Sequence, residues 1–96
     1  MPFVQVIEYE SDRPDELREL SEQWSREQHP DGPMRLFVAE DREKSGHIMM
    51  VAEFDSYEQA LSNSERPETT AYADRMRQLT KGEPRFVNLE LTYQQT

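Results

Sequence analysis

Apolar residues along this chain gather in four short runs: Phe3 to Tyr9 (FVQVIEY), Met34 to Glu40 (MRLFVAE), His47 to Phe54 (HIMMVAEF) and Arg85 to Tyr93 (RFVNLELTY). Together they hold fourteen of its eighteen Leu, Ile, Val and Phe residues. Each run is rich in β-branched and aromatic residues and bounded by polar or turn residues, which predicts strands. Asp41 to Gly46 joins the second and third, a charged connection with a glycine that reads as a hairpin. Helical patterns fill the gaps. Asp12 is placed to cap the first helix, with Pro14 in its opening turn and Leu17, Leu20 and Trp24 as a narrow apolar stripe. Pro30-Asp31-Gly32-Pro33 stops it near His29. Ser56-Tyr57-Glu58-Gln59 is a capping-box pattern opening a short helix to about Asn63. Pro67 starts another, with Tyr72, Met76 and Leu79 on one face and Lys81-Gly82 as its stop.

The order β-α-β-β-α-β, with the second helix broken near Glu65-Arg66-Pro67, predicts an α+β, ferredoxin-like fold. It has a four-stranded antiparallel sheet and helices on one face. A half-solvated antiparallel strand alternates apolar and polar residues. These strands do not, because Phe3, Val4, Val6 and Ile7 use both parities, as do Leu36, Phe37 and Val38, and Ile48, Met49, Met50 and Val51. Helices cover one face only, so the other would expose more apolar surface than a monomer usually tolerates. A homodimer packed through the sheet face is the partner expected.

Composition first points the other way. Leu, Ile, Val and Phe make up about 19% of 96 residues, the mean hydropathy is −1.00, and the net charge is −9. Those values are typical of disorder. Clustering of the apolar residues in strands answers that reading, and the length allows a single domain, residues 1–96. The acidic balance argues against nucleic acid and anionic membranes as partners. No run is long enough to span a membrane and nothing marks secretion, so a cytoplasmic location is expected. With no cysteine there are no disulfides or thiolate nucleophiles, and no histidine spacing suggests a metal site. No glycine-rich phosphate loop or nucleophile elbow is present.

Candidate chemistry is sparse. His29 ends the first helix, where a capping or solvated role suits it. His47 opens the third strand beside Gly46, at a pocket or a dimer rim. Gln5 and Asn88 are amides inside apolar strands and need partners if buried. They either reach one cavity, alternate outward, or pair with each other. Glu53 and Glu90 in strands are candidate bases in a cleft, or partners for Arg35 and Arg85. Trp24, Met49, Met50, Tyr72 and Met76 supply an apolar set that fits either a pocket lining or an ordinary core.

The order of elements resembles the dimeric α+β-barrel superfamily, which includes the antibiotic-biosynthesis-monooxygenase-like and stress-responsive barrel families. The stretch Val51-Ala52-Glu53-Phe54-Asp55-Ser56-Tyr57-Glu58-Gln59-Ala60 is similar to its third strand ending in an aromatic before a short helix. Ala60 to Ser64, Pro67 and Ala71-Tyr72-Ala73 are similar to its helix-break-helix region. The resemblance implies a small molecule held between helices and sheet of each subunit. It places Asn63 near a polar pocket position and Tyr72 near a pocket-facing aromatic. The heme-degrading members' Trp and His pattern has no counterpart in residues 56 to 80, and no cofactor is implied. The set expected at the pocket is Trp24, His47, Met49, Asn63, Tyr72, Met76 and Asn88, with Asn63, Tyr72 and Gln5 as candidate catalytic groups. Three functional readings follow. One is a homodimeric barrel binding a small apolar or aromatic molecule. The second is a cofactor-independent monooxygenase acting on an electron-rich aromatic, polyketide-like substrate. The third is an assembly module with a filled interior.

Overall fold

The structure is a computed structural model and describes residues 1–27 and 29–95. Its elements are β1 (Phe3–Glu10), α1 (Pro14–Arg26), β2 (Arg35–Glu40), β3 (His47–Phe54), α2 (Tyr57–Ser64), α3 (Pro67–Gln78) and β4 (Arg85–Glu90). The strands form one antiparallel sheet in the order β2-β3-β1-β4. This is the ferredoxin-like arrangement expected, with the second helix split at Glu65-Arg66 by Pro67, which occupies the first turn of α3.

Several local devices differ from expectation. Asp12 does not cap α1. The N-cap is Arg13 without a side-chain bond, and Asp12 lies 2.7 Å from Lys81 Nζ. Ser11 does the local work instead, its hydroxyl accepting from the Arg13 N–H at 2.9 Å and donating to the Leu79 carbonyl. Ser56 does cap α2, accepting from the Gln59 N–H at 3.1 Å, while Gln59 Oε1 takes the N–H of Asp55 rather than that of Ser56. The last strand stops at Glu90, short of Tyr93, because its partner β1 begins at Phe3, opposite Glu90. Beyond that point Leu91 N–H donates to Pro2, and Tyr93 is exposed. In the β2–β3 hairpin Gly46 has φ +80°, and its carbonyl accepts from Ser11 N–H at 2.9 Å.

Register divides the sheet into two faces. Toward the helices lie two rows read from β2 to β4: Leu36, Ala52, Gln5, Asn88, then Val38, Met50, Ile7, Phe86. The core forms on this side, with Tyr9, Leu17, Ile48, Met50 and Met76 in one cluster and Phe3, Ala52 and Phe54 in another. The opposite face carries the row Phe37, Val51, Val6, Val87, flanked by Arg35, Glu53, Val4, Leu89 and by Ala39, Met49, Glu8, Arg85. No helix covers it: Phe37 is 51% exposed, Leu89 45% and Met49 38%. Ion pairs edge this apolar band, Arg35 with Glu53 and Arg85 with Glu8, each at 2.8 Å.

Candidate functional site

The two core clusters do not fill the space between helices and sheet. Between them lies an open cavity of about 390 Å³, within the range of small-molecule sites. β1 runs along its floor, presenting Phe3, Gln5, Ile7 and Tyr9 by strand alternation. Tyr57, Ala60 and Asn63 from α2 and Thr69, Tyr72 and Arg77 from α3 form the helical side. The break at Pro67 matters here, because a straight helix would not let both segments lean over the sheet. The connection after α1 is tied down beside it by Arg66, whose guanidinium holds Asp31 through two bonds of 3.0 and 3.1 Å, and by Gln59 Nε2 to the Gly32 carbonyl.

One end of the cavity is aromatic and aliphatic, with Phe3 against Tyr57 edge to face at 5.2 Å and Phe54 beside them. Midway, Gln5 and Asn88 sit directly opposite on neighbouring strands, and Gln5 Nε2 donates to Asn88 Oδ1 at 3.1 Å. One internal bond leaves Gln5 Oε1 as an acceptor and the Asn88 NH2 as a donor. Asn63 is buried, its side-chain oxygen accepting from Thr69 Oγ1 at 3.4 Å. Tyr72 packs against Trp24 at 5.3 Å, and its hydroxyl meets Ser21 Oγ at 3.0 Å and Met50 Sδ at 3.8 Å. Ser21 and Tyr72 can share that contact in either direction, since Ser21 Oγ has the Leu17 carbonyl and the Tyr72 hydroxyl has Met50 Sδ as a second acceptor. Burial pushes the Tyr72 phenol up, with the Ser21 bond opposing. Tyr9 is pushed up further, chiefly by burial, with neighbouring Tyr72 adding and Arg77 offsetting part of the effect. Both phenols are therefore protonated at neutral pH.

No protein-family model and no curated relative matches the sequence. Solved structures do match it along nearly its whole length. SnoaB, a cofactor-independent oxygenase from Streptomyces nogalater solved as an asparagine-to-alanine variant, superposes with a TM-score of 0.83 at 14% identity, over 97% of this chain and 95% of that one. A proposed antibiotic biosynthesis monooxygenase from Caulobacter crescentus gives 0.82 at 11% identity, covering 96% and 91%. Rv0793 from Mycobacterium tuberculosis gives 0.77 at 17% identity and full coverage of both chains. The chain shares the ferredoxin-like α+β fold of these proteins. Identities this low speak to the fold and to nothing finer.

Within this fold the expected site residues divide by strand parity. Gln5, Trp24, Asn63, Tyr72 and Asn88 are brought together around the cavity. Gln5 and Asn88 both pair with each other and face one cavity. His47 and Met49 are not at the cavity. Their parity puts them on the uncovered face, where His47 lies between Asp41 (3.3 Å) and Glu8 (3.8 Å). Met76, 2% exposed, belongs to the packed core rather than the lining. Glu53 is on the uncovered face with Arg35, and Arg85 pairs with Glu8, leaving Glu90 exposed. His29 does cap α1: a ring nitrogen, Nε2, donates to the Trp24 carbonyl at 2.8 Å while the ring stacks on the indole at 3.8 Å. His29 Nδ1 and Trp24 Nε1 are buried without hydrogen-bond partners among the described residues. Sequence reasoning missed Tyr9 and Arg77. Tyr9 was legible as the next inward position of β1 after Phe3, Gln5 and Ile7, whereas Arg77 looked like one more charge on a solvated helix.

Among the described residues no group of His, Asp or Glu is arranged to hold a metal ion, and no helix is long and apolar enough to cross a membrane.

Proposed function

We propose that this protein is a cytoplasmic homodimer, joined through the uncovered sheet face, whose subunits each bind a small apolar or aromatic molecule between helices and sheet. The observation that carries the binding reading is the cavity itself: aromatic at one end, with an unsaturated amide pair, Gln5 and Asn88, at its middle. Apolar walls supply affinity and a few fixed polar atoms supply orientation, which is the usual division of labour in a ligand site. The homodimer rests on the apolar band of Phe37, Val51, Val6 and Val87, with partly exposed Leu89 and Met49 on either side. Trp24 is the chain's one tryptophan and lines the cavity, so its fluorescence reports occupancy. Titration with a neutral tricyclic phenol of the anthrone type should quench it saturably. No saturable change at the probe's solubility limit would remove this reading.

Oxygenation is the second reading, favoured by the fold likeness to SnoaB and by the polar groups around an otherwise apolar cavity. Asn63, Gln5 and Tyr72 would orient an electron-rich aromatic and stabilise its enolate or phenolate through donated hydrogen bonds. Tyr72 fits this role least directly, because its hydroxyl is already engaged by Ser21 Oγ and Met50 Sδ. Oxygen uptake with the same anthrone-type probe, without flavin or metal, tests it, with Asn63→Ala and Tyr72→Phe as variants. A turnover that neither substitution changes would place the chemistry elsewhere.

A further inference from the structure

The chain carries 20 acidic residues against 11 basic ones, yet among the described residues the cavity lining includes no aspartate or glutamate and one charged side chain, Arg77. In a protein of net charge −9, a site whose single formal charge is positive runs against the surrounding field. Arg77 lies near the C-terminus of α3, beside Tyr9 at the far end of the cavity from Phe3. Its guanidinium is half exposed and lies 3.4 Å from Asp74, one turn earlier on the same helix; such an exposed pair is weak and readily shared with a ligand. Glu90 shares the cavity's sheet face but is exposed at the opposite end, across from Phe3, and is not in the lining. Tyr9 and Tyr72, the phenols at the Arg77 end of the cavity, are protonated and bring no negative charge.

Spacing adds a second constraint. Gln5 and Tyr9 are four residues apart on β1, about 13 Å in an extended strand. The amide pair and the cation therefore mark two polar points separated by an apolar stretch over Ile7 and Phe86. We propose that the ligand is an elongated aromatic acid, its carboxylate held by Arg77 and an uncharged oxygen at its other end held by Gln5 and Asn88. This rests on the ligand-binding reading above and narrows it to a chemical class. Arg77 selects the ligand's charge, and the distance to the amide pair selects its length. The carboxylate stays at the half-solvated end, so it keeps part of its hydration while gaining a charge-assisted bond.

The test compares 6-hydroxyanthracene-2-carboxylate with 6-hydroxyanthracene-2-carboxamide, a neutral probe of the same shape that keeps the far oxygen, by fluorescence anisotropy of the probe at neutral pH and low salt. The wild-type protein should prefer the carboxylate about tenfold, the size expected of one partly solvated charge-assisted contact. Arg77→Gln should abolish the preference, chiefly by weakening the carboxylate, and Arg77→Lys should restore most of it. Circular dichroism checks the fold of both variants, for which Arg77's half exposure is favourable. Equal or tighter binding of the carboxamide by wild type, or a carboxylate preference that survives Arg77→Gln, overturns the proposal and leaves the cavity reading standing. If neither probe binds, both fall.

Discussion

Phe37→Asp probes the proposed dimer at a residue whose loss should leave the subunit intact. Phe37 projects from the uncovered sheet face and is 51% exposed, so about half of its burial within a dimer remains to be gained. Full burial of such a side chain stabilises by about 1.5–3 kcal/mol, which gives roughly 1 kcal/mol per protomer for this residue. An aspartate there forfeits that gain. It also places a carboxylate in a desolvated contact, where an unsatisfied charged group costs at least about 1–3 kcal/mol. Nearby Arg35 offers little rescue because Glu53 already holds it at 2.8 Å. A two-fold interface counts both terms twice, for a total of about 4–8 kcal/mol, or three or more decades in dissociation constant at 1.4 kcal/mol per decade. Sedimentation equilibrium at micromolar concentration should give twice the 11.4 kDa chain mass for wild type and the single mass for the variant. Unchanged far-ultraviolet dichroism would show that the subunit still folds. A wild-type monomer, or a variant that remains dimeric, would refute the reasoning.

Two further substitutions test local physics. Gly46→Ala should cost about 2–4 kcal/mol, because φ is +80° and the new Cβ would meet the Ser11 carbonyl at 2.6 Å. Gly82→Ala, at φ +68° with nothing within 4 Å, should cost only about 1 kcal/mol. Urea midpoints of the two variants compared side by side check the difference, and equal losses would contradict it. Asp41 is held below its usual range, first by the Glu43 N–H and then by His47. A lowered folded-state value stabilises above the unfolded carboxylate range and is lost as pH falls through the folded value. Wild type should therefore be more stable than Asp41→Asn near pH 6, with the gap between the two midpoints narrowing as acid protonates the carboxylate; a gap that does not change with pH would disprove the assignment.

The sheet was legible because fourteen of eighteen strong hydrophobes lie in four runs, and because their use of both parities announced two faces needing cover. Which face each parity takes was not legible. A strand's pattern is symmetric under a one-residue shift until a helix chooses a side. His47 and Met49 were thereby assigned to the cavity, while Ile48 and Met50, one step along, are the residues that face the helices. Asp12 lost the capping role to a hydroxyl one position earlier, which also bridges to Leu79, a contact no local pattern encodes. Arg77 could not be told from its charged neighbours, since its meaning comes from Tyr9, sixty-eight positions away. The opening scarcity of apolar residues acquires a physical shape: a small core in two clusters, with a cavity between helices and sheet where a larger core would be.

Whether this cavity takes a ligand is decided by calorimetric titration with 2-naphthol, a neutral aromatic that needs no cation. Saturable binding is expected at one site per chain with a negative heat-capacity change from apolar burial, lost when Ala73→Phe fills the space from α3. Absence of saturable heat, or binding that Ala73→Phe leaves untouched, would contradict it.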